Sequence, residues 1–221
     1  MCKKYKYHRY IFLTLIILLI GFVQVPAKDL TDIDEKTITI IKKKYGEGAL
    51  SRLEAWQNLV HTDNSKTEME KLDKVNKFFN DFPFVDDIEH WGKEDYWATP
   101  VEFLASRGGD CEDFSLAKYF TLKAMGVPEK KLYLTYVKAL KLNQAHMVLT
   151  YYSKPSAEPL VLDNLNKKIQ VASKRKDLLP VYTFNGDGLW LAKQRGKGKF
   201  VGGSQKLKRW NDLKSRMSTS L

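Results

Sequence analysis

Cysteine is scarce in this chain: Cys2 and Cys111 are the only two among 221 residues. Two cysteines cannot build a disulfide framework, and with four histidines in no paired spacing the usual tetrahedral zinc sites are excluded as well. The glycines never fall into a phosphate-cradling pattern, no serine sits in a nucleophile elbow, and the acids do not follow an EF-hand register. Internal repeats and low-complexity linkers are missing too, which sets aside solenoid architectures. Long apolar runs are equally short in supply. The best, Ile11 to Val23, has 13 residues, too few to span a bilayer comfortably.

That run is flanked by Lys3, Lys4, Lys6 and Arg9 on one side and by Val25-Pro26-Ala27 on the other, the layout of an export signal with a small-residue cleavage site. Residues 1–27 are therefore expected to be a signal peptide, with an uncleaved inner-membrane anchor as the alternative, and 28–221 a single domain. Removing the four basic residues of the leader lowers the net charge from +11 to +7. Excess positive charge is a footprint of nucleic-acid binding, but export removes most such partners. The Lys-rich stretches at 42–44, 167–176 and 193–208 are expected to be solvated faces. Loss of Cys2 with the leader leaves Cys111 alone in a compartment that oxidises thiols, so its presence needs a reason. The plainest one is a small buried hydrophobe.

The apolar period divides the chain in two. Ile33, Ile40, Ile41, Leu50, Leu53, Trp56, Leu59, Val60, Met69, Leu72, Val75, Phe78 and Phe79 recur at three and four residues, predicting two or three amphipathic helices before residue 82. Residues 81–97, aromatic and acidic without a period, predict an irregular connection. In "TPVEFLASRGG", Thr99, Pro100 and Glu102 predict a capping box with proline in the first turn, and Gly108-Gly109 a stop. A second helix is expected to start at Asp110 or Cys111 and to end near Gly126, before Pro128. Beyond residue 131 the period changes to two in "KLYLTYVKAL" and "AHMVLTYYS", and "VYTFNGDGLWLAK" predicts a hairpin about Asn185-Gly186. Four or five strands are expected, then a C-terminal helix over 204–218 carrying Leu207, Trp210, Leu213 and Met217. Helices followed by strands imply an α+β fold with an antiparallel sheet, helical over 28–125 and strand-rich over 131–200.

"SRGGDCEDFS", residues 106–115, places Cys111 in the first turn of a helix, where the dipole and free N–H groups favour a thiolate. A nucleophilic cysteine needs a base. His61 lies at a polar helix end and His90 in the irregular stretch, whereas His146 shares a strand face with Val148 and Thr150. Asp163 ends the apolar run Leu160-Val161-Leu162 and is close enough in the chain for its strand to neighbour that of His146, so Cys111, His146 and Asp163 are the candidate nucleophile, base and orienting group. Each has a plainer reading: a structural strand histidine, and an aspartate capping its turn. Three carboxylates crowd the thiol, however. Asp110, Glu112 and Asp113 should suppress the thiolate by like-charge repulsion, unless these hard oxygens hold a cation such as Ca2+, which would reverse the local field. Helix-dipole stabilisation explains Glu112 and Asp113 without a metal, though not why a thiol shares their turn.

Together "GGDCEDFS", "AHMVL" and "PLVLDNL", in this order and spacing, resemble the bacterial transglutaminase-like cysteine proteinases of the LapG type, over about "YWATPVEFL" to "NGDGLWLAK". The resemblance implies a papain-like, transglutaminase-type fold with Cys111, His146 and Asp163 as a triad and Asp110, Glu112 and Asp113 as calcium ligands. Trp97 also matches the family's stretch upstream of the cysteine; its N–H could join the Cys111 amide in holding an oxyanion, and a packed aromatic is the competing reading. By the same resemblance the protein is a periplasmic endopeptidase that cuts the N-terminal region of a large surface adhesin at an Ala-Ala type site. A LapD-type membrane receptor for cyclic di-GMP would sequester it. Acyl transfer of the transglutaminase or N-acetyltransferase type uses the same residues, and a non-catalytic, calcium-stabilised binding domain remains a third class. Amine incorporation and thiol labelling separate these three.

Overall fold

The computed structural model describes residues 32–62, 67–193 and 196–218. The expected signal peptide, residues 1–27, lies outside them. Among the described residues no helix is long and apolar enough to cross a membrane.

Among the described residues three amphipathic helices come first, α1 (Glu35–Tyr45), α2 (Glu47–Thr62) and α3 (Glu68–Asn80). Asp34 caps α1 by accepting from the Thr37 amide, and a Thr67/Glu70 capping box opens α3. Such caps satisfy amides that have no partner inside the helix. The stretch expected to be irregular contains one short helix, α4 (Asp87–Trp91), and is otherwise a connection. Then come α5 (Pro100–Ser106) and α6 (Cys111–Ala124). The Thr99/Glu102 capping box is present with Pro100 in the first turn. The helix stop differs from expectation by one residue: Arg107, at φ +70°, takes the left-handed position, and Gly108 follows at φ +147°. A Cβ on Gly108 would lie 2.5 Å from the Pro83 carbonyl, so only glycine fits this close crossing.

Among the described residues the sheet has seven strands rather than four or five: β1 (Leu132–Ala139), β2 (Gln144–Tyr151), β3 (Leu160–Leu162), β4 (Gln170–Val171), β5 (Leu178–Phe184), β6 (Leu189–Lys193) and β7 (Gly196–Gly202). Their order is β4-β3-β2-β1-β5-β6-β7, every pair antiparallel. The extra strands are short or glycine- and lysine-rich, with no alternation to announce them. The hairpin about Asn185-Gly186 is present between β5 and β6.

Strand alternation sorts the sheet into two faces. Leu132, Leu134, Met147, Leu149, Tyr151, Leu162 and Phe184 join the helices in the main core, while Val137, Val148 and Val161 form a smaller cluster on the other side. α6 is the central helix, with Phe114 through Leu122 all buried, not merely the one stripe expected. Ser115 docks it to β2 by donating to the Cys111 carbonyl (2.9 Å) and the Met147 carbonyl (3.0 Å). The C-terminal helix, α7 (Lys208–Ser218), follows a 3-10 turn at Ser204–Lys206 and buries Trp210 against Tyr119, Phe120 and Phe184.

Candidate active site

Cys111 is the first residue of α6, and Asp110 before it holds the N-cap position without a side-chain cap bond. The half-buried thiol donates to Glu112 Oε2 at 3.1 Å. The Met147 backbone, next to His146 on β2, faces the sulfur and pulls its pKa down, but is the smallest of the influences on it. Burial, then the Glu112 and Asp110 charges, push the thiol well above its ordinary pKa. With the acids ionised and no opposing charge, this is a weak nucleophile.

The acids around it number more than three. Carboxylate oxygens of Asp87, Asp110 and Asp113 lie within 4.8 Å of one another, as do those of Asp87, Asp95 and Glu112. Asp87 and Asp95 were not anticipated; they come from the 81–97 connection, which folds across the start of α6. Backbone amides hold it there, Val85 donating to the Gly109 carbonyl (3.0 Å) and Ala98 to the Asp113 side chain at Oδ1 (2.6 Å), while the Tyr96 amide donates to Asp87 Oδ2 within the connection itself. From α7, Arg209 pairs with Asp95 at 2.8 Å, and Arg216 reaches Glu102 and the Trp97 carbonyl. One signal was available, the acid density of "VDDIEHWGKED", but nothing local connects it to Cys111.

Four oxygens of this cluster, Asp87 Oδ1, Asp95 Oδ1, Asp110 Oδ1 and Asp113 Oδ2, are buried with no hydrogen-bond partner. Buried polar atoms are normally paired, and hard carboxylate oxygens converging in this way match the donor set of Ca2+. Charge crowding says the same. Burial and the Glu112 and Asp113 charges push Asp110 up to about 10, burial and Glu112 push Asp87 up to about 6, and burial above all raises Asp113 and Asp95. The residues present fit calcium.

His146 and Asp163 form a buried pair, Nε2 to Oδ1 at 2.8 Å, with side chains 1% and 0% exposed. Burial opposes ionisation of Asp163, but hydrogen bonds from His146 and Arg175 outweigh it and hold the carboxyl near 2. Arg175 lies in the 167–176 stretch expected to be solvated; it is 3% exposed, and the lysines around it are the solvated part. His61 lies near the end of α2, and His90 stacks on Trp91 in α4. Trp97 stacks on Phe184, as a packed aromatic would, while its N–H faces the Asp95 carboxylate without reaching hydrogen-bonding geometry.

The family described as bacterial transglutaminase-like cysteine proteinase BTLCP matches residues 38–179. The chain belongs to this family. The chain is similar in fold and sequence to Legionella pneumophila LapG, 47% identical over 83% of this chain and 96% of that one, with a TM-score of 0.71. The calcium-bound form of Legionella pneumophila LapG is 48% identical over 83% and 98% (TM-score 0.71), and the EGTA-treated form 47% over 83% and 96% (TM-score 0.72). Among curated proteins no match is found. Membership in the BTLCP proteinases makes this chain a cysteine proteinase with a papain-like, transglutaminase-type α+β fold.

Proposed function

We propose that this proteinase is a calcium-dependent endopeptidase of the periplasm in which Cys111 is the nucleophile, His146 the general base and acid, and Asp163 the orienting carboxylate. The observation that carries the reading is the set of unpartnered carboxylate oxygens around Cys111, with calcium-bound Legionella pneumophila LapG as the related case. Asp110, Glu112 and Asp113 would hold the ion, joined by Asp87 and Asp95. Calcium, when bound, supplies positive charge that offsets the carboxylates beside the thiol.

The chain's own residues supply the rest. Asp163 Oδ1 accepts from His146 Nε2, which selects the tautomer whose Nδ1 lone pair is free to take a proton. That proton comes from Cys111 Sγ, and the sulfur attacks the peptide carbonyl carbon. Departure of the amine breaks the C–N bond and takes the proton back from Nδ1, after which water, deprotonated by the same nitrogen, hydrolyses the thioester. The Cys111 amide, joined by the Trp97 N–H, would provide donors for the oxyanion. The substrate would be the N-terminal region of a large surface adhesin with an Ala-Ala type site, and a LapD-type inner-membrane receptor for cyclic di-GMP would withhold the enzyme.

The test incubates the purified protein with such an adhesin fragment, with calcium and with EGTA. Cleavage that EGTA stops and calcium restores, and that Cys111→Ala abolishes, is the expected result. Cleavage unaffected by either treatment would remove the proposal.

A further inference from the structure

One buried cation beside the candidate triad has no part in the mechanism above. The Arg175 guanidinium sits at the rim of the sheet, after the 3-10 turn Ala172–Lys174 that follows β4. Its Nη2 donates to Asp163 Oδ2 at 2.6 Å, while Oδ1 of the same carboxylate accepts from His146 Nε2 (2.8 Å) and the Leu165 amide (3.0 Å). Both oxygens of Asp163 are thus engaged, and the oxygen left facing His146 is decided by which one Arg175 holds.

Arg175 is itself immobilised. Asp177 accepts from Nε (3.0 Å) and Nη2 (2.8 Å), and the Asp177 carbonyl accepts from the Leu140 amide at the end of β1 (2.8 Å). The Asp163 backbone is pinned from the helical side, where Asn80 Nδ2 donates to its carbonyl (2.9 Å) and Lys118 Nζ donates to Asn80 Oδ1 (2.8 Å). Lys118 is 1% exposed. An aspartate held at its backbone by one network and at its far carboxylate oxygen by another has one orientation open to it. A cation buried this deeply is costly unless paired; Nε and Nη2 are held by the orienting acid and the residue that braces the arginine, while Nη1 is buried without a partner.

We propose that Arg175, braced by Asp177, is a positioning residue for proteolysis: it turns Asp163 Oδ1 onto His146 Nε2 and so sets the imidazole tautomer that exchanges a proton with Cys111. The proposal rests on the triad reading. Arg175 hydrogen-bonds Asp163 and Asp177 and acts through Asp163.

The experiment compares Arg175→Gln, Arg175→Lys, Asp177→Asn and His146→Ala with the parent enzyme in saturating calcium. It measures kcat and KM on a peptide containing an Ala-Ala site, and the 15N signals of the His146 ring. Arg175→Gln is expected to lower kcat about 10- to 100-fold, the scale seen when a metal-bound histidine loses its outer partner, at unchanged KM and with a mixed tautomer population. Arg175→Lys should regain part of kcat by restoring charge without the fork. If Arg175→Gln does not fold, Asp177→Asn carries the test, with a smaller kcat loss in the same direction. Full kcat and an unaltered His146 tautomer in whichever of these variants folds would overturn the role of Arg175, provided His146→Ala is inactive. Activity in His146→Ala would instead overturn the triad reading on which it rests.

Discussion

At the residue scale, the surroundings of Cys111 set a conflict that a cation resolves. A thiol hydrogen-bonded to Glu112 and flanked by Asp110 is held protonated, so its reactivity should follow the charge state of the acid cluster. Iodoacetamide is expected to label Cys111 slowly in EGTA and much faster in calcium, measured by mass spectrometry across pH; equal rates in the two conditions would defeat the metal-site reading. Among the histidines only His146 should matter for the chemistry. His146→Ala should lose proteolysis altogether, whereas His61→Ala and His90→Ala should retain it in the same peptide assay, because neither belongs to the Asp163 network. Asp163→Asn should cost less than or as much as His146→Ala, since an orienting group sets geometry and tautomer without carrying the proton.

At the scale of elements, α5 and α6 are joined by a turn with no spare room. A Cβ on Gly109 would lie 2.2 Å from Asp113 Oδ2 and 2.7 Å from its Cβ. Gly109→Ala must therefore displace the carboxylate that the Ala98 amide fixes at 2.6 Å. Its expected phenotype is twofold: a lower calcium-free melting temperature than in the parent, and a smaller rise on adding calcium. Thr99→Ala, which removes the hydroxyl half of the α5 capping box, should cost about 1 kcal/mol in denaturant unfolding and leave the calcium response intact. α7 closes the other side. Trp210→Ala would open a cavity among Tyr119, Phe120 and Phe184, at a cost of about 3–5 kcal/mol.

At the scale of the whole molecule, the calcium-free protein carries carboxyls whose folded pKa values exceed the unfolded ones, near 3.9 for aspartate. Such groups stabilise the fold fully below pH 3.9, and the contribution is lost as pH rises through about 6 for Asp87 and about 10 for Asp110. Lys118 works the other way. Burial lowers its pKa to about 7, so its penalty on folding shrinks between pH 7 and about 10.4. Lys118 contributes with and without calcium, so the difference between the two conditions isolates the acids. The calcium-induced increase in melting temperature, followed by scanning calorimetry, is expected to grow from pH 5 to pH 8; an increase that shrinks over that range would contradict the assignment of these carboxylates.

The legible part of this protein was local. The Thr99/Pro100/Glu102 start, the first-turn position of Cys111, the change of period near residue 131 and the hairpin about Asn185 all depend on side chains within a few residues of one another, where capping, turn chemistry and periodicity act. The pairing of His146 with Asp163 was legible for a related reason, since two apolar strands joined by a short connection usually lie side by side. What only the tertiary structure decided involves partners far apart in the chain. Asp87 and Asp95 meet Asp110, Glu112 and Asp113 because the 81–97 connection is drawn over the start of α6 by the Val85 amide on the Gly109 carbonyl and the Ala98 amide on the Asp113 carboxylate, contacts that no local pattern encodes. β4, two residues long, exists only because β3 offers it an edge. Arg175 looked like one more basic residue among solvated lysines; its burial follows from Asp163 and Asp177 arriving at one place, where a guanidinium can satisfy both. Local rules act through chain neighbours, while a buried charge is placed by whichever distant groups the fold brings to pair with it.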